Sequence, residues 1–141
     1  MRRAVNERSE IIRAVLEYYP DTQAIYLFGS YGTEQEWPDS DVDIAVLLPP
    51  EEAKAAGLLQ MSDLRFDLEI LLGKEVDLIN LRRVPTVLQK EVVVADGRIY
   101  DGDWFAAEEF EMLTLSYYQK LNEERAEIIS SALAGGRFHS I

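Results

Sequence analysis

The sequence has no cysteine and a single histidine, His139. That excludes a disulfide framework, a thiolate zinc site and cysteine nucleophiles, and a lone histidine disfavours a His-rich metal centre and a Ser-His-Asp triad. Any metal would have to be held by oxygen ligands, the donors that select hard ions such as magnesium or manganese. Positive charge is also scarce. Against 26 Asp and Glu stand 14 Lys and Arg, a formal net charge of −12 and a pI near 4.4. Nucleic-acid phosphates demand a positive footprint, so direct binding of RNA or DNA is disfavoured, whereas a basic protein partner would be attracted. No apolar run reaches the length of a membrane span, and the start, MRRAVNERSE, lacks the apolar stretch of a signal peptide. The expectation is a cytoplasmic chain.

With 141 residues, 48% of them hydrophobic and 28% charged, there is material for one domain and its core. We expect that domain over 1–134, with 135–141 a flexible tail. A three-to-four spacing of Ile12, Val15, Leu16 and Tyr19 predicts a helix near 6–19. Ala24–Phe28 reads as a first strand, 31–36 as a short helix, and 41–48 as a second strand that Pro49-Pro50 stops. Met61, Leu64, Leu68, Leu71 and Leu72 predict a helix over about 58–72. A third strand over 75–81, a helix from Pro85 to before Gly97, an edge strand at 98–100 and a long helix over 104–133 complete the chain. The order is mixed α/β, a small sheet flanked by helices. The link between strands one and two is too short to insist on parallel pairing.

Three acidic residues stand out on geometric grounds. In a strand, residues i and i+2 share a face, so Asp41 and Asp43 project side by side. Two adjacent carboxylates repel unless something positive lies between them, and a divalent cation is the natural occupant. Asp77 sits in an otherwise apolar strand, where a charge is costly unless paired or ligated; if that strand neighbours the second, Asp77 joins the pair. Glu75 shares its face and is the rival ligand. Gly29-Ser30 ends the first strand: the glycine permits a tight turn and close approach to a ligand, and a serine opening a helix offers a hydroxyl and free N–H groups to phosphate. Phosphate cradle and carboxylate pair, ten residues apart, are the parts needed to hold a metal-bound nucleoside triphosphate.

Gly29-Ser30, the ten-residue gap, Asp41-x-Asp43 and the later Asp77 resemble the signature of the polymerase-β-type nucleotidyltransferase superfamily. The small size is similar to that of its minimal members, the MNT antitoxins paired with HEPN-domain ribonuclease toxins. The resemblance implies a polymerase-β-type fold and a reaction with two Mg2+ ions, or Mn2+, and ATP. Asp41 and Asp43 would bind both metals, Asp77 would complete the catalytic one and help take a proton, and Gly29 and Ser30 would bind the nucleotide phosphates. It further implies AMP transfer to a tyrosine of a HEPN toxin partner, within a hetero-oligomer, and a basic RNA-cutting partner suits the −12 charge. Two other readings stay open: transfer to a small molecule such as an aminoglycoside, and neutralisation of a partner by contact alone.

Lesser candidates carry two readings each. Arg65 could reach a phosphate or lie along the surface; Arg82 and Arg83 could touch nucleotide or partner, or be solvated. Tyr117-Tyr118 could stack on a partner or pack in the core. His139 falls in the tail.

Overall fold

Apolar residues recur at every second position of three short segments, and each such segment forms a strand with at least one face buried. The computed structural model describes residues 2–29 and 41–135. In chain order the elements are α1 (Arg2–Tyr18), β1 (Ala24–Phe28), β2 (Val42–Leu47), α2 (Pro50–Ala56), α3 (Asp63–Leu72), β3 (Val76–Asn80), α4 (Thr86–Val94), β4 (Arg98–Asp101) and α5 (Trp104–Gly135), with single 3-10 turns at Leu59–Met61 and Leu81–Arg83. No helix among the described residues is long and apolar enough to cross a membrane.

The four strands lie in the order β3-β2-β1-β4. The sheet is mixed: β1 runs antiparallel to β2 and β4, while β2 and β3 are parallel. Parallel neighbours need a crossover, and α2 and α3 supply it. One face of the sheet, with Ile25, Leu27, Val42, Ile44, Val46, Val76 and Leu78, packs against Ile11 and Val15 of α1 and Leu64, Leu68 and Leu72 of α3. The opposite face, with Ala24, Tyr26, Ala45 and Leu47, packs against Val92 and Val93 of α4 and Ala107 and Phe110 of α5. The result is three layers, helix on sheet on helix.

Polar contacts tie the layers together. Arg98 of β4 pairs with Asp101, Glu108 and Glu111, and the Tyr26 hydroxyl donates to Glu111, which joins β1, β4 and α5. The outer edge of β3 is covered by side chains. Val76 N–H donates to Glu69 and Val76 C=O accepts from Arg65, both on α3, and Leu78 N–H donates to Gln60. Arg65 is thus an anchor between α3 and the sheet. Arg82 plays a similar part, donating to Leu48 C=O and to Gln23 and lying over the Phe110 ring.

Several expectations need correction. The single helix over 58–72 is a 3-10 turn followed by α3, because the Ser62 hydroxyl accepts from Arg65 N–H and caps a new helix there. Met61 and Leu71, placed on the apolar stripe, are exposed. Pro49-Pro50 does end β2, but it also starts α2: proline is at home in a first turn, and Glu51 and Glu52 favour the positive helix end. Tyr117 is exposed rather than packed in the core, and Tyr118 lies beneath Lys90. The short helix at 31–36 and His139 lie outside the described residues.

Ile44 is wholly buried at the centre of β2. Ile44→Ala is expected to lower unfolding free energy by about 2–5 kcal/mol, the range for such core truncations, measured by urea denaturation.

Candidate active site

The candidate residues gather at one end of the sheet, where β1 stops and its neighbours begin. Residues 43, 45 and 47 share a face of β2. Ala45 and Leu47 are covered by α4 and α5, whereas Asp43, at the strand's start, is only half-buried. Antiparallel pairing sets Asp43 opposite Phe28, the last residue of β1. Parallel pairing sets it beside Asp77 of β3. Two carboxylates are therefore placed side by side on one face by strand register alone.

The electrostatics follow from that placement. The Asp43 carboxyl is pushed up from its ordinary 3.8 to about 6, first by burial, then by the charge of Asp77, a hydrogen bond with Asp77 and the charge of Asp41. Asp77 is exposed, not enclosed in a core strand as its apolar neighbours suggested, because β3 is the sheet's edge strand and this end of it is open. Its Oδ1 accepts a 3.1 Å hydrogen bond from Gln60 Nε2. Asp41 is exposed just before β2. Among the described residues no three acidic, histidine or cysteine side chains form a ready-made metal cage; the register unites Asp43 with Asp77, and Asp41 adds its charge from the side. Glu75 precedes β3, and its carbonyl accepts Val42 N–H at 2.9 Å, which fixes the strand register.

Gly29 closes the site from the β1 side. Its φ of +74° lies in the left-handed region, and a Cβ there would clash with the Asp43 Oδ2 atom. Glycine is thus needed to make room for the carboxylate as well as to turn the chain. Ser30 lies outside the described residues. An all-oxygen set with two facing carboxylates, Asp43 half-buried and Asp77 exposed, is chemically suited to a hard divalent cation, which would relieve their repulsion.

A family model described as polymerase beta, nucleotidyltransferase matches residues 10–104, from α1 to the start of α5. The chain belongs to the polymerase-β nucleotidyltransferase family. It is 36% identical over 126 residues to the protein adenylyltransferase MntA of Shewanella oneidensis, covering 89% of this chain and 87% of that one. A crystal structure of a toxin-antitoxin with AMP-PNP is 32% identical, with a TM-score of 0.67, over 89% of this chain and 98% of that one. A structure of tri-AMPylated Shewanella oneidensis HEPN toxin in complex with MNT antitoxin is also 32% identical, with a TM-score of 0.62, over 90% of this chain and 96% of the other.

Within this nucleotidyltransferase fold, Arg65 and Arg82 serve the framework, as described, and Arg83 is exposed. Gln60 escaped sequence reasoning: it stands alone in a 3-10 turn, and no periodicity or motif marks it.

The raised Asp43 value has a definite sign. Between about pH 4 and pH 6 the folded chain binds more protons at Asp43 than the unfolded chain, so this group lowers stability as pH rises through that window. In metal-free buffer, Asp43→Asn is expected to raise the melting temperature at pH 7, with the gain vanishing towards pH 4, as followed by circular dichroism. Gly29→Ala is expected to destabilise by at least about 1–2 kcal/mol, the cost of a left-handed alanine, and by less on an Asp43→Ala background. Urea denaturation of the double-mutant cycle measures that coupling.

Proposed function

We propose that this chain is a protein adenylyltransferase that acts as an antitoxin, transferring AMP from ATP to a tyrosine hydroxyl of a HEPN toxin. The observation that carries the reading is the Asp43–Asp77 pair set beside the Gly29 turn in a nucleotidyltransferase fold. The extent of the similarity to a protein adenylyltransferase, 89% of this chain, supports the choice of a protein acceptor.

Asp41, Asp43 and Asp77 would hold the metal, one or two Mg2+ or Mn2+ ions, which when bound neutralises triphosphate charge and makes the acceptor hydroxyl more acidic. Gly29 and Ser30 would receive the β- and γ-phosphates, the glycine by presenting backbone with no side chain in the way. The acceptor oxygen forms a bond to the α-phosphorus as the bond from that phosphorus to the bridging oxygen breaks, and pyrophosphate leaves with the electron pair. The Asp77 carboxylate, exposed at the sheet's open end, would take the hydroxyl proton and pass it to water. Asp43 is less accessible for that task, being enclosed between Gly29 and its neighbouring carboxylate.

The test is intact-mass analysis of a HEPN partner co-expressed with this chain. AMP-sized increments on a toxin tyrosine are expected. They should vanish with Asp41→Asn/Asp43→Asn, while the fold and the complex persist. Asp77→Asn is expected to slow transfer at least about a hundredfold, the usual contribution of a positioned proton acceptor. Label from ATP appearing on an aminoglycoside and never on the toxin would overturn the reading, as would full protection of cells by the double variant.

A further inference from the structure

We infer that Gln60 is a positioning residue for Asp77, fixing the rotation of its carboxylate from outside the sheet; this rests on the site reading given above. Two bonds define the role. Leu78 N–H donates to Gln60 Oε1 at 2.7 Å, and Gln60 Nε2 donates to Asp77 Oδ1 at 3.1 Å. The first bond determines the second. A backbone N–H can only donate, so it holds the amide oxygen and turns the amide's N–H2 group, which can only donate, toward the carboxylate. Gln60 therefore cannot present its oxygen to Asp77 without giving up the backbone bond.

The geometry around it is firm on the Gln60 side. Its neighbour Leu59 is wholly buried in the core cluster with Leu64, Leu68 and Leu78, so the 3-10 turn is pinned under the strand it serves. On the Asp77 side the carboxylate is exposed on the last strand of the sheet. Its other partner is Asp43, which shares a hydrogen bond with it but also opposes it as a like charge. That contact weakens as the pair ionises, and the Gln60 bond does not. With Oδ1 held, Asp77 is kept beside Asp43, where both can face one cation. Outer partners of ligating carboxylates typically influence metal affinity or activity by about 10–100-fold.

The experiment measures Mn2+ binding by electron paramagnetic resonance, with AMP-PNP present, together with the metal-free melting curve. Gln60→Met keeps the length and loses both the donor to Asp77 and the amide oxygen that accepts from Leu78 N–H, which is why the melting curve is read beside Mn2+ binding. Gln60→Asn keeps the amide but is one carbon short of bridging strand and carboxylate, and it serves if the methionine variant misfolds. Both are expected to weaken Mn2+ binding about tenfold, with kcat falling more than the KM for ATP is raised, and with a melting curve close to the parent's. Asp77→Asn is the control. If it weakens Mn2+ binding while both Gln60 variants bind as the parent does, positioning by Gln60 is refuted and the site reading survives. If the parent takes up no Mn2+, or Asp77→Asn leaves binding unchanged, the site reading fails and the Gln60 role falls with it. A lowered melting temperature with unchanged Mn2+ affinity would also refute the role, reducing Gln60 to a support for the strand edge.

Discussion

Two aspartates side by side on adjacent parallel strands form the interaction around which the site is arranged. Like charges directly opposite one another oppose strand pairing, and here one of them is also drawn partly out of water. The cost shows in the upward displacement of the Asp43 carboxyl. The surrounding apolar ladder tolerates it: Val42, Ile44 and Val46 of β2 and Val76 and Leu78 of β3 pack on one core face and hold the register. A wholly buried apolar ladder thus holds an unfavourable contact at its open end, the kind of local conflict that marks functional sites.

The local chain conformation is fitted to that contact from both flanks. On one side the absent Gly29 side chain leaves space for Asp43. On the other, the turn before α3 brings Gln60 within reach of Asp77. Neither flank needs to be charged, so the negative potential between the aspartates is not cancelled by the protein itself. Two arginines nearby in sequence are engaged elsewhere: Arg65 with Val76 C=O and Glu69, Arg82 with Leu48 C=O and Gln23.

Much of this was legible in the residues. Ala24–Phe28 marks a strand as a short apolar run rich in β-formers, and the apolar positions 42, 44 and 46 mark another because burial on a pleated surface has period two. The long helix from Trp104 is legible as an uninterrupted stretch without Pro or Gly up to residue 134. Other parts were not. Pro49-Pro50 reads as a stop, yet the same ring geometry that ends a strand starts α2. The break at Ser62 is masked by leucines that keep helical spacing on both sides of it. Strand order depends on which way the crossover through α2 and α3 folds, so the pairing of Asp43 with Asp77 could be entertained from sequence but not located. Gln60 was illegible because its meaning comes wholly from a strand that follows it in the chain.

The side chains along the outer margin of β3 have an effect beyond the site they border. A strand at the end of a sheet normally offers a row of unpaired amides to any passing chain, a template for polymerisation. Here Glu69, Arg65 and Gln60 occupy those groups at Val76 and Leu78. A foreign strand could add there only by first breaking a charge-assisted pair and an amide contact. The molecule can hold an open, acidic end on its terminal strand without inviting fibrous growth from that side.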